Sequence, residues 1–208
     1  WLFERAKAVL ACWFLGSEAG HAVADVITGR WNPSARLPVT WPVEVGQIPI
    51  FYARLPTGRP IDPAFRYSSK YIDMPNEPLF PFGHGLSYTR FAYSNLRASP
   101  AELREGGTIT VEVDVANEGQ VAGEETVLLF VRDPVASVSR PVLELKGMAK
   151  ALLQPGEMRT VRLSLACDAL AVLDNALAPR LEPGAIEIYV GPSARADALV
   201  KAAVTLVA

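Results

Sequence analysis

Cysteine and histidine are nearly absent: the 208 residues hold two of each. Cys12 and Cys167 stand far apart in sequence, so a disulfide framework is not expected. Two isolated histidines with no clustered cysteines leave a zinc site without support. Charge of one sign is missing too. Twenty basic residues face 22 acidic ones, a net charge of -2, which gives no electrostatic footprint for nucleic acid or for an anionic membrane. No apolar run approaches the ~20 residues that a membrane helix needs. The glycines of Gly16-Ser17-Glu18-Ala19-Gly20 have the wrong spacing for a phosphate loop, and no lysine follows them. Neither a cofactor nor a metal is therefore called for. The chain opens at Trp1 without an initiator Met or a signal-peptide pattern, as expected of a fragment whose targeting information is elsewhere.

Apolar residues, proline and glycine are plentiful: 50% hydrophobic, with 17 prolines and 15 glycines. The prolines crowd into residues 31–63, at positions 33, 38, 42, 49, 56, 60 and 63. That density excludes long helices and central strands. Trp31, Trp41, Phe51 and Tyr52 are interleaved with them, so an extended segment anchored by aromatics is expected rather than a disordered linker. Ahead of it, Ala8–Leu15 is a short continuous apolar run, expected as a strand buried on both faces. Ser17 reads as the N-cap of a helix with Glu18 in its first turn. Ala22, Val23, Val26 and Ile27 recur at helical spacing, and Gly29 stops the helix. The strand-to-helix turn reads either as plain chain reversal or as a turn facing a ligand.

Leu79 to Thr89 organises the whole. Three aromatics, two glycines and Pro81 in eleven positions suit neither helix nor strand. Phe80, Phe82 and Tyr88 are large enough that this stretch is expected to lie against a core. It reads as a structural hinge between domains, or as a hinge that also lines a binding cleft. Just before it, Arg59, Arg66, Tyr67 and Lys70 form a polar, basic stretch. A solvated face is one reading and a sugar-binding rim the other.

After Tyr93 the period becomes two. Ile109, Val111, Val113 and Val115 alternate with polar residues; Val161, Leu163 and Leu165 do the same, as do Ile186, Ile188 and Val190. Thr126–Val131 is continuously apolar after its first residue, and Val142, Leu143 and Leu145 suggest a further strand. Asn117-Glu118-Gly119, Gln154-Pro155-Gly156 and Glu182-Pro183-Gly184 are turns. Many short strands at this spacing predict an antiparallel β-sandwich, preceded by an α/β segment. The boundary is expected between Leu86 and Pro100, with only β-structure after Glu105.

No nucleophile stands beside a base. Ser17 is not in a Gly-x-Ser-x-Gly setting. The sandwich carboxylates fall on alternating positions expected to be exposed. Asp73 and Glu77 flank Pro75, where a glycosidase pair and ordinary loop hydrogen bonding are both open readings.

Beyond these readings lies a resemblance. Gly16–Gly20, His21-Ala22-Val23-Ala24-Asp25-Val26-Ile27-Thr28-Gly29 and Asn32-Pro33-Ser34-Ala35-Arg36-Leu37-Pro38-Val39-Thr40 follow, in order, G-x-E-G-G, A-x-A-D-V-L-x-G and N-P-S-G-x-L-P-x-T. With Val45-Gly46-Gln47-Ile48-Pro49 and Leu79–Tyr88, they resemble glycoside hydrolase family 3. Val131-Arg132-Asp133-Pro134, Ser139-Arg140-Pro141 and Glu144-Leu145-Lys146-Gly147 are similar to that family's C-terminal fibronectin-III-like domain. Ala19, Ala35 and His84 depart from the pattern, the first two standing where Gly is usual and the third where Tyr is frequent.

The resemblance implies the end of an α/β sandwich domain over residues 1–92 and a fibronectin-III-like (immunoglobulin-like) sandwich over 93–208. It implies the C-terminal portion of a retaining β-glucosidase-like enzyme, periplasmic or secreted, acting on β-linked oligosaccharides or aryl glycosides. The family's catalytic Asp lies on an N-terminal (β/α)8 barrel and its acid/base Glu on an upstream sandwich segment, so no catalytic residue is carried over to this chain. Those two upstream parts of the same polypeptide would be its partners. The alternative is a stand-alone carbohydrate-binding or interaction module.

Overall fold

Strands form where side chains alternate. The computed structural model describes residues 2–62 and 64–207; Trp1, Pro63 and Ala208, the first and third at the chain ends and the second in the proline-rich stretch, lie outside them. From Phe91 onward the chain makes ten strands: β1 Phe91–Ser99, β2 Glu102–Leu103, β3 Thr108–Asn117, β4 Gly123–Arg132, β5 Glu144–Leu153, β6 Met158–Ala166, β7 Val172–Leu173, β8 Pro179–Arg180, β9 Gly184–Gly191 and β10 Val200–Leu206. One sheet has the order β1-β3-β6 and the other β2-β10-β9-β4-β5, with β7-β8 a small separate ribbon. All pairings are antiparallel except β2 on β10. Two short 3-10 turns, Cys167–Leu170 and Ala196–Ala198, interrupt the all-β expectation after Glu105.

The inner faces meet in one core. Ile109, Val111, Val113 and Val115 of β3 pack with Val127, Leu129 and Val131 of β4, Val161, Leu163 and Leu165 of β6, and Ile186, Ile188 and Val190 of β9. Removal of these side chains from water drives the fold. β4 is buried on both faces: its other side places Leu128 and Phe130 against Tyr52 and Phe82 from the segment ahead of the sandwich. This double burial is why Val127–Val131 reads as a continuous apolar run.

The same kind of run at Ala8–Leu15 forms no strand; it is irregular and, apart from half-buried Cys12, exposed. A strand needs neighbours to take its N–H and C=O groups and to cover its faces, and no described segment lies beside this one in a sheet. The helix spans Ala19–Ile27, with Glu18 rather than Ser17 at the N-cap. It ends as expected: Gly29 adopts φ 75° and its N–H bonds the carbonyl of Val26. A four-residue helix, Leu2–Arg5, precedes it.

Leu37 and Trp41, in the proline-rich segment, are held by backbone pairing with the hinge. Trp41 and Phe80 exchange both backbone hydrogen bonds, Leu37 N–H donates to the His84 carbonyl, and Gly83 N–H donates to the Leu37 carbonyl. Of the expected aromatic anchors, Trp41 and Tyr52 are half-buried, whereas Trp31 and Phe51 are exposed and anchor nothing. Phe80 and Phe82 pack as expected. Tyr88 does not: it stays half in water and is fixed by its hydroxyl, which donates to the Val26 carbonyl at 2.6 Å.

Candidate functional site

The hinge glycines bring the two halves into contact. Gly83 sits buried at φ 83°, and a Cβ there would lie 2.8 Å from Leu128 Cδ1 and from the Ser193 backbone. No larger residue fits this approach. A Cβ on Gly85 would lie 2.7 Å from the Ala35 carbonyl oxygen. The loop Asn32–Arg36 is thereby pressed onto the end of the sandwich where β4 begins. Asn32 Nδ2 donates to the Ala122 carbonyl at 2.8 Å, while its Oδ1 accepts from Ser87 Oγ and from Tyr88 N–H, both at 2.8 Å. Thr126 Oγ1 donates to the Ser34 carbonyl. At the end of the hinge, Thr89 Oγ1 donates to Asn117 Oδ1 at 2.5 Å, and Asn117 Nδ2 holds the carbonyls of Val121 and Leu153.

Glu125 lies at the centre of this seam. It shares the parity of Val127, Leu129 and Val131 and so points inward. Its carboxylate accepts from Arg36 Nη2 and, at 2.7 Å, from the Tyr93 hydroxyl. Both members of the ion pair are sealed, with the Arg36 and Glu125 side chains 8% and 2% exposed. Burial pushes the Glu125 carboxyl up from its ordinary range, against the pull of Arg36 and Tyr93. Burial also raises the Tyr93 phenol, with the neighbouring Glu125 charge adding to the effect. Arg36 Nε is buried with no hydrogen-bond partner. The expectation that the sandwich carboxylates are exposed fails at Glu125, whose place in the alternation is an inner one that Arg36 closes, and at Asp114, which Asn95 and Thr160 cover on the outer face of β3.

A cleft of about 850 Å³ opens beside the seam, lined by Tyr52, Arg54, His84, Arg132, Tyr189 and Arg195 among others. His84 stacks on Phe80, ring centroids 4.4 Å apart. Burial, then the charges of Arg36 and Arg195, hold its imidazole below the usual value. It therefore stays neutral near pH 7, able to donate from one nitrogen and accept at the other. Much of the charge around the cleft is already engaged. Arg195 forms a two-pronged pair with Asp197, and Arg132 and Lys201 both reach Glu187.

Arg59, Arg66, Tyr67 and Lys70 share one loop, residues 53–74, and none of the four lines the cleft, although Arg54 at the start of the loop does. The first three are exposed and Lys70 is half-buried. The Arg66 guanidinium carbon stands 5.9 Å from the centre of the Tyr67 ring, which meets Phe65 edge-on. Ser69 N–H donates to the Arg59 carbonyl at 3.4 Å, and Lys70 Nζ donates to the Asp62 carbonyl at 3.4 Å. These bonds close the loop on itself. Asp73 is exposed, and Glu77 contributes its backbone carbonyl to a hydrogen bond from Gln47. Sequence reading missed Gln47 and Glu125; a long polar side chain inside an otherwise apolar pattern was the available signal for the second alone. Among the described residues no group of three or more His, Cys, Asp or Glu is placed to hold a metal ion.

Comparison with known proteins places these elements. Residues 1–88 match the family model for the glycosyl hydrolase family 3 C-terminal domain, and residues 125–194 that for a fibronectin type III-like domain. The chain is 42% identical over 190 residues to the periplasmic beta-glucosidase of Salmonella typhimurium, covering 90% of this chain and 25% of that protein. It is 40% identical over 210 residues to a beta-xylosidase of Formosa agariphila, covering 99% and 28%. The crystal structure of the beta-glucosidase from Listeria innocua in complex with glucose superposes with a TM-score of 0.91 at 40% identity, covering all of this chain and 29% of that one. The chain thus spans about a quarter of the length of the curated relatives it matches.

Proposed function

The chain belongs to glycosyl hydrolase family 3, and on that premise we propose that it is the C-terminal portion of a retaining β-glucosidase-like enzyme. In this reading the enzyme acts on β-linked oligosaccharides or aryl glycosides. The carrying observation is the coincidence of near end-to-end similarity to a beta-glucosidase and a beta-xylosidase with their far greater length. The catalytic pair belongs to the barrel and the upstream sandwich segment of the same polypeptide. This portion completes the α/β domain, braces it through the Arg36–Glu125 seam, and carries a substrate rim at Arg59, Arg66, Tyr67 and Lys70. The exposed Arg59 and Arg66 offer donors to sugar hydroxyls, with Lys70 half-buried beside them, and the exposed Tyr67 offers a stacking face, so the contribution of such a rim grows with the number of sugar rings bound. We put the division between the two domains at residues 92 and 93; among the described residues only helices and irregular chain precede Phe91 and strands dominate after it, which supports a division in this region, two residues inside the first strand. A periplasmic or secreted parent enzyme agrees with the periplasmic relative.

A stand-alone carbohydrate-binding module is disfavoured. Such modules typically present aromatics to solvent on a sandwich face, yet in the sandwich Phe130 is buried and Phe91, Tyr93 and Tyr189 are half-buried. The test is hydrolysis of aryl β-glucoside and aryl β-xyloside by the full-length polypeptide, with retention read from the anomer first released. Turnover of neither substrate, or release of the inverted anomer, removes the proposal.

A further inference from the structure

Gln47 is a buried polar side chain, 1% exposed, on the 3-10 turn Val45–Gln47. Its Oε1 accepts from Val43 N–H at 2.6 Å, and its Nε2 donates to the carbonyls of Pro75 at 2.9 Å and Glu77 at 3.2 Å. Those carbonyls stand on either side of Asn76. The Asn76 side chain in turn accepts from Tyr71 N–H and donates to the Ser69 carbonyl, both at 3.2 Å. Ser69 N–H then reaches the Arg59 carbonyl. One amide therefore ties Val43, ahead of the loop at 53–74, to the chain just past the loop, and the Asn76 side chain between the two carbonyls carries the connection back through Ser69 to the Arg59 carbonyl.

Packing does little to fix this loop. Its large apolar and aromatic side chains Ile61, Phe65, Tyr67, Tyr71 and Ile72 are all exposed. With few apolar contacts, the course of the loop depends on hydrogen bonds, and a segment of this kind opens easily once they are lost. A buried amide that satisfies an N–H and two carbonyls at once is costly to remove, because it leaves them without partners.

We propose that Gln47 is a positioning residue for substrate binding: acting through Asn76, it holds the rim loop so that Arg59, Arg66, Tyr67 and Lys70 converge on the substrate. This inference rests on the rim reading given under Proposed function. Gln47 touches no substrate itself.

The test uses the full-length polypeptide and three variants: Gln47→Met, which keeps the side-chain length and removes the hydrogen bonds, Asn76→Ala, and the double variant Arg59→Ala/Tyr67→Ala. KM and kcat are measured on a β-linked glucose disaccharide and on an aryl β-glucoside, with amide hydrogen exchange followed over residues 59–74. We expect Gln47→Met to raise KM for the disaccharide roughly tenfold, the effect of losing about 1.4 kcal/mol of binding, with kcat nearly unchanged. The aryl glucoside should respond much less, and exchange should accelerate across 59–74. Asn76→Ala should show the same pattern and stands in if Gln47→Met does not fold. An equal loss on both substrates, or unchanged exchange in the loop, overturns the inference. If the double rim variant leaves the disaccharide unaffected, the rim reading itself falls, whereas a rim effect that Gln47→Met does not reproduce removes only the role of Gln47.

Discussion

Arg36 and Glu125, 89 positions apart, meet as a buried ion pair at the end of the sandwich, with the Tyr93 hydroxyl on the second carboxylate oxygen. The pair ties the Asn32–Arg36 loop to an inward-facing position of β4. Breaking a buried pair from one side leaves an uncompensated charge, at a cost of about 3–5 kcal/mol. Arg36→Met should destabilise by about that much near neutral pH, as read from urea unfolding. The deficit should shrink on acidification. Without Arg36 the raised Glu125 carboxyl rises further, and a group whose folded pKa lies above its unfolded value contributes stability that is present at low pH and lost as pH rises. Glu125→Gln should show no such relief, because Arg36 stays charged. A deficit for Arg36→Met that is independent of pH contradicts this account.

His84 gives the opposite sign. Burial, with Arg36 and Arg195, lowers its pKa in the folded state. As pH falls through the ordinary imidazole value near 6.5, the unfolded chain binds a proton that the folded chain does not. Stability from this site is present above that pH and is lost below it. His84→Tyr removes the titration. Between pH 8 and pH 5 the wild-type chain should therefore lose stability relative to His84→Tyr in urea midpoints. Parallel decline of the two proteins means that His84 is not held neutral.

Much of this architecture was legible in the sequence, for local reasons. Strands β3, β6 and β9 repeat apolar side chains at every second position with little interruption, so their period is visible without any partner. β1 was not read. Its pairing with β3 shifts between Ser94 and Arg97, so the alternation changes face halfway along. The middle of β5, Lys146-Gly147-Met148-Ala149-Lys150, has no alternation of its own and is kept extended by β4. Two continuous apolar runs look alike in sequence and end differently. Val127–Val131 has the core on one face and Tyr52 and Phe82 on the other, while Ala8–Leu15 has no strand beside it among the described residues. The candidate site was legible only as residue types. Arg59, Arg66, Tyr67 and Lys70 do share one loop, but the amide of Gln47 beneath it depends on contacts 28 and 30 positions away, which no local pattern encodes.

Val113 and Leu163 lie in the sandwich core, with Val113 fully buried and Leu163 nearly so. Truncation of either to Ala should cost on the order of 2–4 kcal/mol from lost burial and the space left behind, with the smaller Val113 at the lower end. Denaturant unfolding of the two variants measures this directly. A change under about 0.5 kcal/mol is a surface value, and would put the side chain on the solvent face in the wrong register.

The chain by itself is expected to show no glycosidase turnover. Retaining hydrolysis needs two carboxyl groups about 5 Å apart across the glycosidic bond, one as nucleophile and one as acid/base. The carboxylates here are otherwise engaged or isolated. Glu125 is locked to Arg36, Glu187 to Lys201 and Arg132, and Asp197 to Arg195, while Glu18 meets His21 at the exposed start of the helix. Positioning without the reacting groups recovers only a small part of an enzyme's rate. The run Ala8–Leu15 also leaves Val9, Leu10, Trp13, Phe14 and Leu15 exposed to water, and exposed apolar side chains close together favour association. The isolated chain should therefore associate in solution, which sedimentation at two concentrations detects. Assays on aryl β-glucoside and aryl β-xyloside should stay at background until a separately expressed N-terminal portion is added. Turnover by the chain alone that disappears on replacing Glu18 or Asp73 would locate the chemistry here and refute the assignment of the catalytic pair to the upstream domains.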